Sequence, residues 1–419
     1  MKTNTGLSAV PCLRLKPGRE FPLLAGHPWV FGGGVASAPA GCRAGDIVEV
    51  LSAGGDFLGM GTFHPANTIR LRMLSREREK IDADFFSRRF ERLLVEKRRW
   101  LPPDTDGFRL VHADADYLPG LVVDVYGKTA VFQIHTAGME TCRAEIAQAL
   151  RDPAGPVRAA CVVERSDAEA RRQDGLKPRP AEIHFGNVTG PAPFREDGLP
   201  LYADVIEGQK TGFFLDQRDA RLYVRGLAAG RRALNLFSYS CAFALAALAG
   251  GAEEVLNVDS SEAALGLGRS ILLENGYGQA LEAGRVRFEA ADVFEYLEAK
   301  TAELRGFLRG PAGDAPGLLV CDPPAFAKSA AHLEQAKKAY GGLARLCFGL
   351  LAPGALFVTS SCSGALSPEE FTAILRIAAG RAGRRVRILK TLSQPFDHTT
   401  LLAFPEGPYL KTCVMEVVD

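Results

Sequence analysis

Hydrophobic positions along this chain follow three successive patterns. From about residue 10 to 74, short apolar stretches alternate with glycine turns. The turn at 41–46 leads into an apolar run at 47–50, and residues 56–63 alternate with glycines where the backbone must bend. This pattern predicts a small β-barrel. Residues 84–94 then place Phe85, Phe86, Phe90, Leu93 and Leu94 at helical spacing. From 106 to 189 the apolar runs 121–125 and 130–134 flank a turn and predict a hairpin, with further strands at 160–163 and near Ile183. This second region reads as a small α+β domain without a catalytic constellation. Beyond residue 199 strands and helices alternate: strands at 233–236, 255–258, 286–289, 318–321, 355–359, 386–389 and 411–417, helices at 261–275, 332–351 and 368–379. Such alternation predicts a doubly wound, mainly parallel α/β sheet, which binds ligands beyond the carboxyl ends of its strands.

Composition narrows the classes of function. A chain of 419 residues, 47% hydrophobic and 24% charged, is globular and long enough for two or three domains. With 50 basic against 49 acidic residues, a wholly basic nucleic-acid coat is excluded, while a local basic face is not. Residues 69–100 carry eleven basic and six acidic residues, and 371–390 six basic and no acidic ones. Either stretch reads as a solvated helix surface or as a phosphate-contacting face. No apolar run reaches membrane-spanning length, and the opening residues lack the apolar core of a signal peptide. The nine cysteines form no C-x-x-C pair, so neither a metal cage nor a disulfide framework is expected, and a reducing cytoplasm fits them.

The chemistry-bearing residues fall at strand ends. After the first strand come Phe237, Ser238, Tyr239, Ser240, Cys241 and Ala242, then a helix, a combination suited to cradling a cofactor. The absent G-x-G-x-x-G pattern counts against a nicotinamide. Asp259 ends the second strand, where it could accept from a ribose diol or cap the helix that follows. Asp292 follows the third and could accept from an adenine amino group, or again cap a helix. Asp322-Pro323-Pro324-Ala325-Phe326 after the fourth strand is the most specific local signal: an acid on a proline-fixed backbone, placed for the Watson–Crick edge of a base, or else a plain turn. Cys362 leaves the fifth strand beside it, a nucleophile or a small buried hydrophobe. Cys321 precedes Asp322 within its strand and reads as core.

These motifs, with Thr211 to Asp219, Leu234 to Tyr239, His27 to Phe31, Asp397-His398 and Pro405 to Lys411, together resemble the RlmI-type bacterial methyltransferases over nearly the whole chain. The resemblance implies S-adenosylmethionine-dependent methylation of cytosine C5 in large-subunit ribosomal RNA. It implies a PUA-like RNA-binding barrel (1–78), a central α+β domain (79–190) and a Rossmann-like class I methyltransferase domain (191–419). It places Phe214, Asp216 and Arg218 near the cofactor, with Phe237, Ser238, Tyr239, Ser240, Asp259, Asp292, Asp322 and Pro323 completing that set. Arg218 would pair with the cofactor carboxylate, its plain alternative being a surface salt bridge to Asp216 or Asp219. Cys362 would add to C6 of the base while Asp322 holds N3 and N4. His398 could take the C5 proton or be structural. One departure stands out: Cys241 and Ala242 occupy positions that are usually glycine in such enzymes, which implies a tighter or shifted loop. The expected partner is ribosomal RNA and not a membrane, with a homodimer left open. The alternatives are a base N-methyltransferase and a non-catalytic RNA-binding or assembly protein.

Overall fold

A computed structural model of the chain describes residues 10–310, 315–327 and 330–419. By internal contacts it divides into two units. The first runs to Gly198 and takes in Ala203–Leu215 and Phe396–Gly407; the second comprises Leu199–Tyr202, Asp216–Pro395 and Pro408–Asp419.

The first unit holds two sheets with separate cores. One has six strands, in spatial order Trp29–Phe31, Ile69–Ser75, Phe57–Phe63, Ile47–Leu51, Cys12–Leu15 and Val35–Ser37. It closes over Leu13, Leu15, Val48, Val50, Phe63, Leu71 and Met73. The glycines read as bends are required here. A Cβ on Gly61 would lie 2.4 Å from the Arg72 carbonyl oxygen, and Gly59, at φ +149°, would collide with Met73 and Ser75. The other sheet has five strands, in order Glu182–Phe185, Cys161–Glu164, Thr129–Ile134, Leu121–Tyr126 and Gly107–His112. The helix Ala83–Arg98 packs its Phe85, Phe86, Phe90 and Leu93 into this second core. Asp82 caps that helix by accepting from Phe85 N at 3.1 Å. Arg88 and Arg89 of this helix pair with Glu79, and Arg92 with Glu96.

The segment Phe396–Gly407 joins the first unit although residues on both sides of it belong to the second. Buried Lys97 sits 3.3 Å from Asp116 and donates to the Asp397 carbonyl at 2.9 Å, and Arg109 N donates to Asp397 Oδ2 at 2.9 Å. Phe404 meets Trp29 edge-on at 4.7 Å between centroids. The His27–Phe31 and Asp397-His398 motifs, far apart in sequence, are therefore parts of one packed cluster. His398 is buried against His112 with Nδ1 3.2 Å from Asp397 Oδ1, an environment that suits its structural alternative.

The second unit is built on a seven-stranded sheet. Its strands are β1 (Arg232–Leu236), β2 (Glu254–Asp259), β3 (Val286–Ala290), β4 (Leu318–Cys321), β5 (Leu356–Ser361), β6 (Val386–Leu392) and β7 (Lys411–Val417). The spatial order is β3-β2-β1-β4-β5-β7-β6. Strands β1 to β5 are parallel, and β7 runs antiparallel between β5 and β6. The order reverses between β1 and β4, so the carboxyl ends of those two strands flank the switch point where this fold class binds ligands. Strands β1, β4 and β5 are buried on both faces, and β4 reads as a continuous apolar run. Flanking helices are α1 (Arg218–Leu227), α2 (Ala242–Ala249), α3 (Glu262–Glu274), α4 (Val293–Ala299), α5 (Leu333–Leu350) and α6 (Pro368–Arg381). Ser367 and Glu370 form a reciprocal capping box at the start of α6. Cys321 lies in the core at 1% exposure, as its strand position requires.

Candidate active site

The loop from β1 to α2 is held in an unusual backbone shape. Phe237, Tyr239 and Cys241 all have positive φ, at 56°, 45° and 59°, while Ser238 and Ser240 between them do not. Each such non-glycine residue costs about 1–2 kcal/mol and persists only where its surroundings enforce it. Here they do: Ser238 N donates to the Val258 carbonyl at 3.1 Å, Tyr239 N to Asp259 Oδ2 at 2.8 Å, and Cys241 N to the Ser238 carbonyl at 2.8 Å. Cys241 is accommodated because α3 presents Gly268 to it: a Cβ on Gly268 would lie 2.6 Å from the sulfur. Burial pushes the Cys241 thiol up to about 12, so it is chemically inert.

Around this loop stand the acids read from the sequence. Asp259 uses both oxygens on the backbone, Oδ2 for Tyr239 N and Oδ1 for Ser261 N at 2.9 Å, while Ser261 itself caps α3. Asp292 is exposed and caps α4, accepting from Phe294 N and Glu295 N. Asp322, just beyond β4, accepts from Gln217 Nε2 at 2.7 Å. Pro323 beside it is buried. Asp216 is buried and accepts from the Tyr409 hydroxyl at 2.8 Å. Arg218 is among the largest fully buried side chains of the molecule, so it does not lie at the surface. Phe214 falls in the first unit, half-buried, with Lys210 Nζ 4.4 Å from its ring centroid.

Cys362 follows β5 as Asp322 follows β4, and those strands are adjacent and parallel. Its neighbours Ser361 and Ser363 are buried while Cys362 itself is partly exposed. Ser363 Oγ accepts from Ala327 N at 3.2 Å and lies 2.9 Å from the Tyr340 hydroxyl, tying the loop after β5 to the loop that begins with Asp322. Of the five cysteines in this unit, Cys241, Cys321, Cys347 and Cys413 are buried, leaving Cys362 as the accessible thiol. Burial also pushes the Cys321 thiol well up, helped by the adjacent Cys347.

Comparison with known proteins gives these features a context. A family model for S-adenosylmethionine-dependent methyltransferases matches residues 176–397, and one for PUA-like domains matches residues 13–76. The ribosomal RNA large subunit methyltransferase I of Aeromonas salmonicida is 39% identical over 96% of this chain and 98% of its own length. Its counterpart from Klebsiella pneumoniae is 36% identical over 96% of this chain and 98% of its own. The chain belongs to the ribosomal RNA large subunit methyltransferase I family. It is an enzyme that uses S-adenosylmethionine. A candidate methyltransferase crystallised with SAH shares the fold at TM-score 0.79 and 22% identity, covering 97% of this chain and 100% of that one.

The second unit of this family member fits the cofactor on its own geometry. Ser240 Oγ, on the loop that leaves β1, and Gln217 Oε1 are buried with no protein hydrogen bond. Gln217 carries no signal beyond its place in the Thr211 to Asp219 motif, and sequence reasoning gave it no role. Gly268 was equally silent, since its meaning lies in the sulfur it faces. Glu164, Glu182 and His184 bring ligand atoms within 4.8 Å of one another, but in the first unit and with Arg143 paired to both carboxylates. Among the described residues no helix is long and apolar enough to cross a membrane.

Proposed function

We propose that this enzyme methylates C5 of a cytosine in large-subunit ribosomal RNA through a covalent Cys362–C6 adduct, with Asp322 as the second catalytic residue. The observation that carries the reading is the partly exposed thiol of Cys362, just beyond the strand next to the one that delivers Asp322, in a unit whose other four cysteines are buried. Cytosine C5 is a weak nucleophile. Addition of the thiolate to C6 shifts the C5–C6 π pair onto C5, with charge spreading toward N3. Asp322 hydrogen-bonds N3 and N4 and favours protonation there. The bound cofactor supplies an electrophilic methyl group on a sulfonium. Once C5 carries the methyl, loss of its proton to a base and cleavage of the S–C6 bond restore the ring and the thiolate.

In the same reading Phe237, Ser238, Tyr239 and Ser240 line the methionine part of the cofactor and Arg218 pairs with its carboxylate. Asp259 takes the ribose diol and Asp292 the adenine amino group, with Phe214, Asp216, Asp322 and Pro323 nearby. The division into a barrel (1–78), a central domain (79–190) and a methyltransferase domain (191–419) assigns RNA recognition chiefly to the barrel. The target base must be unpaired or flipped to reach the pocket. The cytoplasm suits the free thiols, and light scattering decides whether the enzyme is a homodimer.

The test is nucleoside mass spectrometry of large-subunit ribosomal RNA incubated with enzyme and methyl-labelled cofactor. Labelled 5-methylcytidine is the expected product. Cys362→Ala should abolish it while leaving cofactor binding by calorimetry unchanged. Label in an N-methylated base, or undiminished C5 transfer by Cys362→Ala, would overturn the assignment.

A further inference from the structure

The Pro405 to Lys411 motif ends in a lysine that the reaction as described leaves unused. Lys411 opens β7 and stands opposite Ser361 in the antiparallel β5–β7 register, next in the chain to Cys362. Its side chain is buried, and Nζ donates to the Ser363 carbonyl at 2.6 Å and to the Tyr409 carbonyl at 2.8 Å. A lysine ammonium has three N–H donors, so these two bonds leave one for a further acceptor. Lys411 thus meets both chain neighbours of Cys362, Ser361 by strand pairing and Ser363 by a hydrogen bond. The other ionisable groups that bear on this position are Glu370 of α6, itself 2.9 Å from Lys337 of α5, and Tyr340 of α5, whose hydroxyl meets Ser363 Oγ.

The geometry points to Lys411 as a positioning residue for Cys362: its buried ammonium pins the turn that carries the thiol and supplies the positive charge that stabilises the thiolate. This rests on the reading of Cys362 as nucleophile. Burying an ammonium is costly, and one beside a sulfur that must ionise is held where its charge is used. The ionisation balances simply: the thiol proton leaves to solvent, and the sulfur keeps its electron pair next to the ammonium. Burial lowers Lys411 to about 8, so it is still largely charged at neutral pH and loses that charge in mildly alkaline solution. Glu370 opposes this by favouring the charged form, and is itself engaged by Lys337.

The experiment is the pH dependence of iodoacetamide alkylation, read at Cys362 by peptide mass spectrometry on the full-length enzyme. Exposed Cys12 is read in the same sample as the reference. Cys362 should reach half-maximal reactivity at a pH below that of Cys12 by about one unit or more. Lys411→Met should erase the difference, and Lys411→Arg should restore part of it. A wild-type Cys362 that titrates with or above Cys12 overturns the proposal even if Lys411→Met fails to fold. So does a folded Lys411→Met with an unchanged profile. The assay uses neither RNA nor cofactor, so it separates this proposal from the nucleophile assignment, which Cys362→Ala tests by methyl transfer.

Discussion

Gly268→Ala is a one-carbon change on α3 that should reach the cofactor loop. The new Cβ would lie 2.6 Å from Cys241 Sγ, 2.8 Å from Cys241 Cβ and 3.1 Å from the Ser240 carbonyl carbon. Real Cβ contacts essentially never fall below 3.0 Å, so either the helix or the loop must shift. Overpacking of this kind costs about 1–3 kcal/mol. Because the displaced atoms belong to a loop whose φ values are already strained, the loss divides between stability and cofactor affinity. A share of about 1.4 kcal/mol in affinity is roughly tenfold in dissociation constant. Cys241→Gly removes both the obstructing sulfur and a left-handed non-glycine residue, but empties a buried site. In Cys241→Gly/Gly268→Ala the added methyl enters the space the sulfur vacated. The double variant should therefore recover about 1 kcal/mol or more relative to the sum of the single effects, measured by calorimetry with S-adenosylmethionine and by urea denaturation. Effects that add to within about 0.5 kcal/mol would refute the idea that Gly268 exists to seat this sulfur.

Lys97→Met should destabilise the first unit by about 3–5 kcal/mol in urea unfolding, because it leaves buried Asp116 without its ammonium partner; a loss below about 1 kcal/mol would show the pair to be dispensable. Burial, aided by Arg109 and Arg171, lowers His135 from 6.5 to about 4, so the unfolded chain binds the proton more tightly and stability should fall as pH drops from about 6.5 to 4. His135→Gln should flatten that limb of the pH–stability curve. Glu164 works in a lower window: burial opposes its ionisation, but hydrogen bonds from His184, Ser166 and Arg143 prevail and hold it at about 2 against 4.5. Its contribution is complete above about 4.5 and lost toward pH 2, and Glu164→Gln should remove that slope and leave the upper one.

Much of the second unit is readable from hydrophobic pattern because strands such as β4 and β7 are covered on both faces, and these two were delimited to the residue. Pattern carries no strand direction, which is why the antiparallel insertion of β7 between β5 and β6 was not foreseen. That insertion matters, since it brings Lys411 opposite Ser361. Nor could periodicity reveal that Phe396–Gly407 leaves its sequence neighbours for the first unit. Lys97 and Arg109 hold that segment across sequence separations of 300 and 288 residues. Asp322 and Cys362 were legible because each follows a strand end directly. Gln217 and Gly268 act only through what the fold sets against them, and leave no local signature.

For the acids at the strand ends, the sequence posed a choice between helix cap and ligand, and at Asp259 the geometry is compatible with both roles at once. Asp259 gives one oxygen to Tyr239 N and the other to Ser261 N. Each carboxylate oxygen has two lone pairs, so both can still accept from a diol. The backbone bonds fix the rotamer that a ribose would need, and they also hold Tyr239 at its positive φ. Asp322 is oriented in the same manner by Gln217. A carboxylate used twice in this way costs less to order on binding, because the protein has already ordered it. Asp259→Asn should therefore act on the loop even without cofactor: with one oxygen replaced by a donor, it can no longer accept from both N–H groups, and the strained loop loses one of its supports.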